Sequence, residues 1–362
     1  MKIAIVLGTR PEIVKFSPVI KLLKARQRKF FVIHTGQHYS SNMTDVFFKE
    51  LDLPNPKYNL DIGSGTGAEQ IGKSLIKLEK IFANEKPDIV LVQGDTNSSL
   101  AGALTASKMN IKLGHIEAGL RSRDPVMPEE KNRIMIDHIS QYLFAPTKES
   151  YANLVYENVE KNKIFITGNT IADVIQENLK KAKKFGSISK FGLKRKEYIL
   201  ITLHRQENVD SKKKLEDLCR AIELINIKLN YKLVWPIHPR TKKMLEQYKI
   251  LTNKRIKTIP PQGFFDFLSL ESNAALVITD SGGVQEEACI LGVPCITVRD
   301  NTERPETINV GSNTLAGSKP GVKLVRLAKT GVLNKKKWKH PFGKNVSQKI
   351  IKVIDIGGLN TK

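Results

Sequence analysis

"ITDSGGVQEEA" (residues 278–288) is the stretch on which the reading of this chain turns. A β-branched run ends at Asp280 and Ser281, Gly282 and Gly283 follow, and a polar segment then carries adjacent carboxylates at Glu286 and Glu287. A strand that stops, turns through glycine and feeds a helix is the repeating unit of an open parallel sheet. The start of such a helix presents unpaired backbone N–H groups at the positive end of its dipole. Glycine lets an anion approach that backbone and the Ser281 hydroxyl adds a donor, so Ser281, Gly282 and Gly283 read as a seat for a diphosphate. Glu287, a turn into the helix, is placed to accept two hydrogen bonds from a ribose diol. Taken alone, the stretch also fits a tight turn before an exposed acidic helix.

Working outward, short β-rich runs alternate with amphipathic helical stretches, the pattern of parallel α/β units. The first series of strands is 2–7, 29–35, 88–93, 111–117, 142–146 and 163–167. A second series, 197–203, 231–237, 255–259, 275–280 and 294–298, begins after a basic connector at 180–196. Two doubly wound domains with a cleft between them are expected. In such sheets ligands sit beyond the carboxyl ends of the strands. Here those ends read "GTRPE", "QGDTNSS", "HIEAGLRS", "LHRQEN", "PIHPRT", "PPQGFF" and "TDSGGVQEE", rich in glycine, arginine, histidine and acids, while the strand bodies are bland.

These ends supply two groups of candidates. Arg10 and Lys15 follow the first strand and Arg304 follows the last, each able to supply counter-charge to a phosphate. Gln262 and Phe267 offer an amide and a ring suited to a uracil base, although core packing accounts for Phe267 on its own. Asp95, Glu117 and Glu129 in the first half and His204 in the second are the acid–base candidates. Carboxylates converging on one cleft push each other's pKa values apart, so that one serves as acid and another as base. The plain alternatives are a helix cap for Asp95, a first-turn helix acid for Glu129 and structural roles for His115 and His238.

Composition sets the limits. The 362 residues, 40% apolar and 26% charged, suit two globular domains. No apolar run approaches the ~20 residues of a membrane span, and "MKIAIVLGTRPE" meets an acid too early for a signal peptide and reads as a first strand. Cys219, Cys289 and Cys295 lack metal-ligand spacing, which points to a reducing, cytoplasmic setting and to no metal site. The net charge of +23 raises nucleic-acid binding. Its densest runs, 180–196 and 334–340, carry no such motif and read as solvated lysine-rich surface.

Two motif matches mislead. "GAEQIGKS" (67–74) fits the phosphate-loop pattern, but a polar loop precedes it where a buried strand is required. Ile71, Leu75, Leu78 and Phe82 recur at helical spacing, which puts Lys73 inside an amphipathic helix. "GSGTGA" (63–68) mimics a dinucleotide fingerprint without the strand before it, so no nicotinamide cofactor is expected.

Together "GTRPEIVKFSPVI", "VQGDTNSSLAGALTA", "GHIEAGLRS", "PEEKNR", "GNTIADV", "TLHRQEN" and "TDSGGVQEEACILGVPCITVRDNTERPE" resemble the non-hydrolysing UDP-N-acetylglucosamine 2-epimerases, in order from residue 2 to about 317. The resemblance implies a glycosyltransferase-B fold of two Rossmann-like domains, 1–180 and a UDP-binding 181–344, with a helix at about 345–362 packing back on the first. It implies interconversion of UDP-N-acetylglucosamine and UDP-N-acetylmannosamine, no cofactor, and a homodimer. Carried over by motif, Arg10, Lys15, Gln262, Phe267, Ser281, Gly282, Gly283, Glu287 and Arg304 hold UDP, and Asp95, Glu117, Glu129 and His204 form the catalytic set. Gly282→Asp is then expected to cost UDP affinity with the fold intact.

That chemistry explains the need for such a site. The hydrogen on sugar carbon 2 is not next to a carbonyl, so the anomeric bond to UDP breaks first and makes it acidic. Its loss leaves 2-acetamidoglucal and UDP, and re-addition from the other face yields the epimer. A hydrolysing relative, a glycosyltransferase on the same fold and a basic nucleic-acid binder are the rival readings. One departure is visible. Bacterial members follow "QH" with a basic residue and a Met-Leu-Asp run that helps form a second, regulatory substrate site, whereas "TGQHYSSNMTDVF" (35–47) does not, although Arg205 and His238 resemble other parts of it.

Overall fold

The computed structural model describes residues 1–36, 47–251, 253, 255–317, 321–333 and 336–359. The chain forms two compact units, Met1–Val174 with Phe342–Lys362, and Ile175–Pro341. The first division falls inside the helix Ile171–Lys184.

The first unit holds strands Lys2–Leu7 (β1), Lys29–His34 (β2), Tyr58–Asn59 (β3), Ile89–Gln93 (β4), Lys112–Ile116 (β5), Tyr142–Ala145 (β6) and Ile164–Ile166 (β7). They pair in the order β3-β2-β1-β4-β5-β6-β7, all parallel. Helices Arg10–Ala25 (α1), Gly67–Glu85 (α2), Asn97–Lys108 (α3) and Pro128–Ile139 (α4) make crossovers. The second unit holds Tyr198–Thr202 (β8), Lys232–Pro236 (β9), Ile256–Ile259 (β10), Leu276–Thr279 (β11), Cys295–Thr297 (β12) and Asn313–Leu315 (β13) in the order β10-β9-β8-β11-β12-β13, again parallel. Helices Phe264–Asn273 (α5) and Gly282–Leu291 (α6) flank β11 in sequence.

Alternation along β8 shows why these runs are almost wholly apolar. Ile199, Ile201 and Leu203 enter one buried cluster with Leu215, Ile222 and Trp235, while Tyr198 and Leu200 enter another with Leu270, Val277 and Ala288. Successive side chains leave a strand on opposite faces. A parallel sheet covered on both faces therefore needs an apolar residue at every position. In the first unit Ala4, Val6, Val90 and Val92 join Leu78 and Phe82 of α2 in the same way.

Helix Val346–Leu359 (α7) belongs to the first unit and packs on α1. The Asp173 carboxylate accepts the N–H groups of Val346 and Ser347 at 3.1 and 2.8 Å, capping the helix start. Arg28 pairs with Asp355 on the same helix.

Two strands lie beyond the sequence reading, β3 and β13. Each is two or three residues long at one end of its sheet, and each is recruited by pairing with β2 or β12 rather than by its own propensity.

In both sheets the strand order reverses direction at one place, between β1 and β4 and between β8 and β11. A crevice opens outside the carboxyl ends of the strands at such a switch point. There the chain places Gly8–Arg10 and Gly94–Asp95 in one unit, and Leu203–His204 and Asp280–Gly283 in the other.

Candidate active site

In the first unit, Gln93 and Ile116 are register partners at the ends of β4 and β5, so Asp95 and Glu117 leave the sheet from neighbouring strands. Gly8 turns the chain after β1, where any Cβ would collide with Ser98 and Thr35. Glu117 takes a left-handed backbone, φ +73°, and its buried carboxylate accepts both bonds from Lys15 Nζ, at 2.7 and 2.8 Å, and one from Gln93 Nε2 at 3.1 Å. Lys15, expected as a phosphate counter-charge, thus directs its ammonium at Glu117. Asp95 accepts from Arg133 Nε at 3.1 Å and from the same guanidinium's Nη2. The helix cap after β4 is Thr96, whose hydroxyl accepts Ser99 N–H, and not Asp95. Glu129 is exposed in the first turn of α4, whereas its neighbour Glu130 is buried and accepts from Ser122, Arg123 and Arg133.

A buried framework supports these groups. His115 on β5 reaches Asp137 from Nδ1 at 2.7 Å and the Gly94 carbonyl from Nε2 at 2.8 Å, tying the loop that leads into Asp95 to α4. Burial opposes ionisation of Asp137, but His115 and Arg121 outweigh it and hold its pKa below the usual carboxylate value. Glu12 on α1 gathers Gly8, Thr9, Thr96 and Ser99 around its carboxyl and so joins the ends of β1 and β4. Arg10 lies over the Phe47 ring at 5.3 Å, and its burial lowers its pKa.

In the second unit Asp280 is the organiser. It is fully buried at the end of β11 and accepts the N–H groups of His204 and Arg205, each at 3.0 Å from Oδ2, and the Asn208 amide at 3.1 Å. His204 Nδ1 also lies 3.0 Å from its Oδ1. Burial works against the charge on Asp280, yet these donors hold its pKa below the ordinary value. His204 therefore has one ring nitrogen fixed by a carboxylate, and its ring centroid lies 5.3 Å from that of His238, which caps the helix Pro239–Gln247 after β9.

Ser281 caps α6 in extended backbone, and its side chain makes no cap bond to the helix's own N–H groups. A Cβ on Gly283 would meet nothing nearer than Glu287 Oε1 at 4.0 Å, but one on Gly282 would collide with the Glu303 carboxylate. Glu303 is itself held by Arg299 at 2.8 Å. Substitution at Gly282 thus disturbs packing as well as any seat, which revises the expectation that Gly282→Asp acts on affinity alone. The adjacent acids of the opening motif part company: Glu286 is buried and pairs with Arg304 Nε at 2.5 Å, and Glu287 is half-buried. Gln262 donates to the Pro260 carbonyl at 2.6 Å. Phe267 packs half-buried against the Leu270–Val277 cluster.

The phosphate-loop look-alike is helical. Residues Gly67–Glu85 form α2, Thr66 caps it, and Lys73 bonds Glu69 at 2.7 Å on an exposed face. Among the described residues no three His, Cys, Asp or Glu side chains cluster to hold a metal, and no helix is long and apolar enough to cross a membrane. Residues 37–46, which carry most of the departure from the bacterial regulatory pattern, lie outside the described residues. Sequence reasoning passed over Glu12, Gln93, Arg133, Asn208 and Asp280 as site residues, although each lies inside one of the quoted motifs; which residue of a motif meets a partner depends on chain far away in sequence.

A family model described as UDP-N-acetylglucosamine 2-epimerase matches residues 21–355. UDP-N-acetylglucosamine 2-epimerase of Methanocaldococcus jannaschii is 53% identical over 99% of this chain and 100% of its own, and that of Methanococcus maripaludis is 53% identical over 98% of each. A crystal structure of the Methanocaldococcus jannaschii protein in complex with UDP-GlcNAc and UDP is similar with a TM-score of 0.93, covering 99% of this chain and 100% of that one. With a family match along most of its length and full-length relatives above half identity, the chain belongs to the UDP-N-acetylglucosamine 2-epimerase family.

Proposed function

We propose that this chain interconverts UDP-N-acetylglucosamine and UDP-N-acetylmannosamine by eliminating UDP and adding it back through 2-acetamidoglucal. The observation that carries this is the helix start at Ser281–Gly283, which the Ser281 side chain does not cap, following Asp280 with its bound His204, in a chain 53% identical to one solved with UDP-GlcNAc and UDP. In this reading Ser281, Gly282, Gly283 and the N–H groups of α6 receive the diphosphate, with Arg10 and Arg304 adding positive charge. Glu287 takes the ribose, and Gln262 with Phe267 takes the uracil.

In the forward direction the bond between carbon 1 and the phosphate oxygen breaks, and its electron pair leaves with UDP. A base removes the proton on carbon 2, and the C–H electrons form the double bond of the glycal. In the return direction an acid delivers a proton to the opposite face of carbon 2, and the UDP oxygen closes on carbon 1. Preorganised donors at the departing diphosphate supply electrostatic stabilisation, usually the largest catalytic contribution. Asp95, Glu117, Glu129 and His204 are the acid–base set, each worth ~10²–10⁴ in rate when positioned. With Nδ1 turned to Asp280, the Nε2 of His204 is the nitrogen that exchanges a proton.

Incubation with UDP-N-acetylglucosamine in heavy water, followed by proton NMR, tests this. The expected product is UDP-N-acetylmannosamine with deuterium at carbon 2. Release of free N-acetylmannosamine would assign a hydrolysing enzyme instead, and retention of the original hydrogen at carbon 2 would exclude elimination.

A further inference from the structure

Glu271, on α5, has no use in the chemistry above, yet it is an acid with 0% of its surface exposed. Among the described residues, neither of its carboxyl oxygens meets a hydrogen-bond donor. The ionisable groups that face it are Glu287 from α6, Tyr198 from β8 and Cys295 from β12. The Tyr198 O–H already donates its hydrogen bond to the Leu270 carbonyl. Helices α5 and α6 pack together, and Glu287 on α6 is the acid whose charge acts on Glu271. A buried carboxylate without a donor is very costly, and two carboxylates in contact cannot both ionise. A proton between them resolves both difficulties.

We propose that Glu271 is a permanently protonated acid whose O–H donates to the Glu287 carboxylate, making it a positioning residue that aims Glu287 at the ribose diol of the nucleotide. Burial first, and the Glu287 carboxylate second, push its pKa well above the ordinary range, as this arrangement requires. Glu271 is the member that keeps the proton because it is the more deeply buried, whereas half-buried Glu287 reaches back beside Gly283 at the start of α6. In this arrangement the Glu271 O–H fixes the direction of the Glu287 carboxylate toward the ribose. The proposal rests on the assignment of Glu287 to ribose, and its test separates the two.

Calorimetric titration of UDP and of 2′,3′-dideoxy-UDP into wild type, Glu271→Gln and Glu271→Leu reads the positioning. The Gln amide donates permanently, so that variant should bind UDP within about twofold of wild type. The Leu variant should lose about tenfold in UDP affinity, the worth of one charge-assisted hydrogen bond, with dideoxy-UDP unaffected. Leu binding UDP like wild type, Leu weakening both nucleotides alike, or Gln failing as badly as Leu would each overturn the proposal. Equal affinity of wild type for the two nucleotides would overturn the ribose assignment itself. The infrared difference spectrum of wild type minus Glu271→Gln at neutral pH reads the acid even if the Leu variant folds poorly. A protonated-carboxyl C=O band is expected, and a difference confined to carboxylate bands would overturn the pair.

Discussion

Lys15→Met tests whether the Lys15–Glu117 pair is a structural unit of the first sheet. The substitution keeps an unbranched apolar stem and removes only the ammonium, which stands 2.7 and 2.8 Å from the two Glu117 oxygens. Both side chains are nearly enclosed, 9% and 4% exposed, so solvent cannot replace the lost partner. Breaking a buried pair by removing one member costs about 3–5 kcal/mol. The Gln93 amide still reaches Glu117 at 3.1 Å, which places the expected loss near the lower end, about 3 kcal/mol. For a unit of roughly 200 residues each kcal/mol is about 2–4 °C, so the melting temperature should fall by about 6–12 °C. Urea unfolding followed by circular dichroism measures this, with Glu117→Gln and the double variant completing a cycle. The double variant should be more stable than the sum of the single losses predicts, by about 2 kcal/mol. Turnover should drop more than UDP affinity, because the ammonium serves Glu117. A Lys15→Met loss below about 0.5 kcal/mol, or strict additivity in the cycle, would refute the reasoning.

Asp280→Asn should cost about 2–3 kcal/mol through weakened hydrogen bonds to His204, Arg205 and Asn208. Asp280 has a folded pKa below its unfolded value, so its contribution is complete above the ordinary carboxylate range and is lost as pH falls through the folded value. Wild type should therefore weaken on acidification below about pH 4 more steeply than the Asn variant, and equal slopes in acid unfolding would contradict this. Gly283→Asp, whose Cβ meets no other described side chain nearer than Glu287 Oε1 at 4.0 Å, should change thermal stability little and reduce UDP affinity about tenfold or more by calorimetry. Lys73→Ala should leave turnover within about twofold, since its partner is the exposed Glu69, and a hundredfold loss in a folded variant would restore the phosphate loop.

Much of the architecture is local and was therefore legible in the chain. Period-two and near-continuous apolar runs mark β1, β4, β5, β8 and β11, because a parallel sheet covered on both faces demands apolar side chains at nearly every position. The helical spacing of Leu78 and Phe82 likewise exposed the phosphate-loop match as an amphipathic helix. Strand-end motifs such as Ser281–Gly283 are local for the same reason, since a turn and a helix start are built from consecutive residues.

What the tertiary structure decided is what depends on partners far apart in the chain. Strands β3 and β13 exist because a neighbour's backbone offers them hydrogen bonds, and their own two or three residues say nothing of it. Lys15 reads as a cation for phosphate until the sheet brings Glu117, 102 positions away, against it. Asp280 reads as the end of a strand until β8 arrives with His204 and Arg205. Adjacent Glu286 and Glu287 are alike in sequence, yet helix geometry turns one inward to Arg304 and leaves the other half-exposed beside Glu271. Charge and burial are properties of the surroundings of a side chain, and the surroundings exist only once the chain has folded.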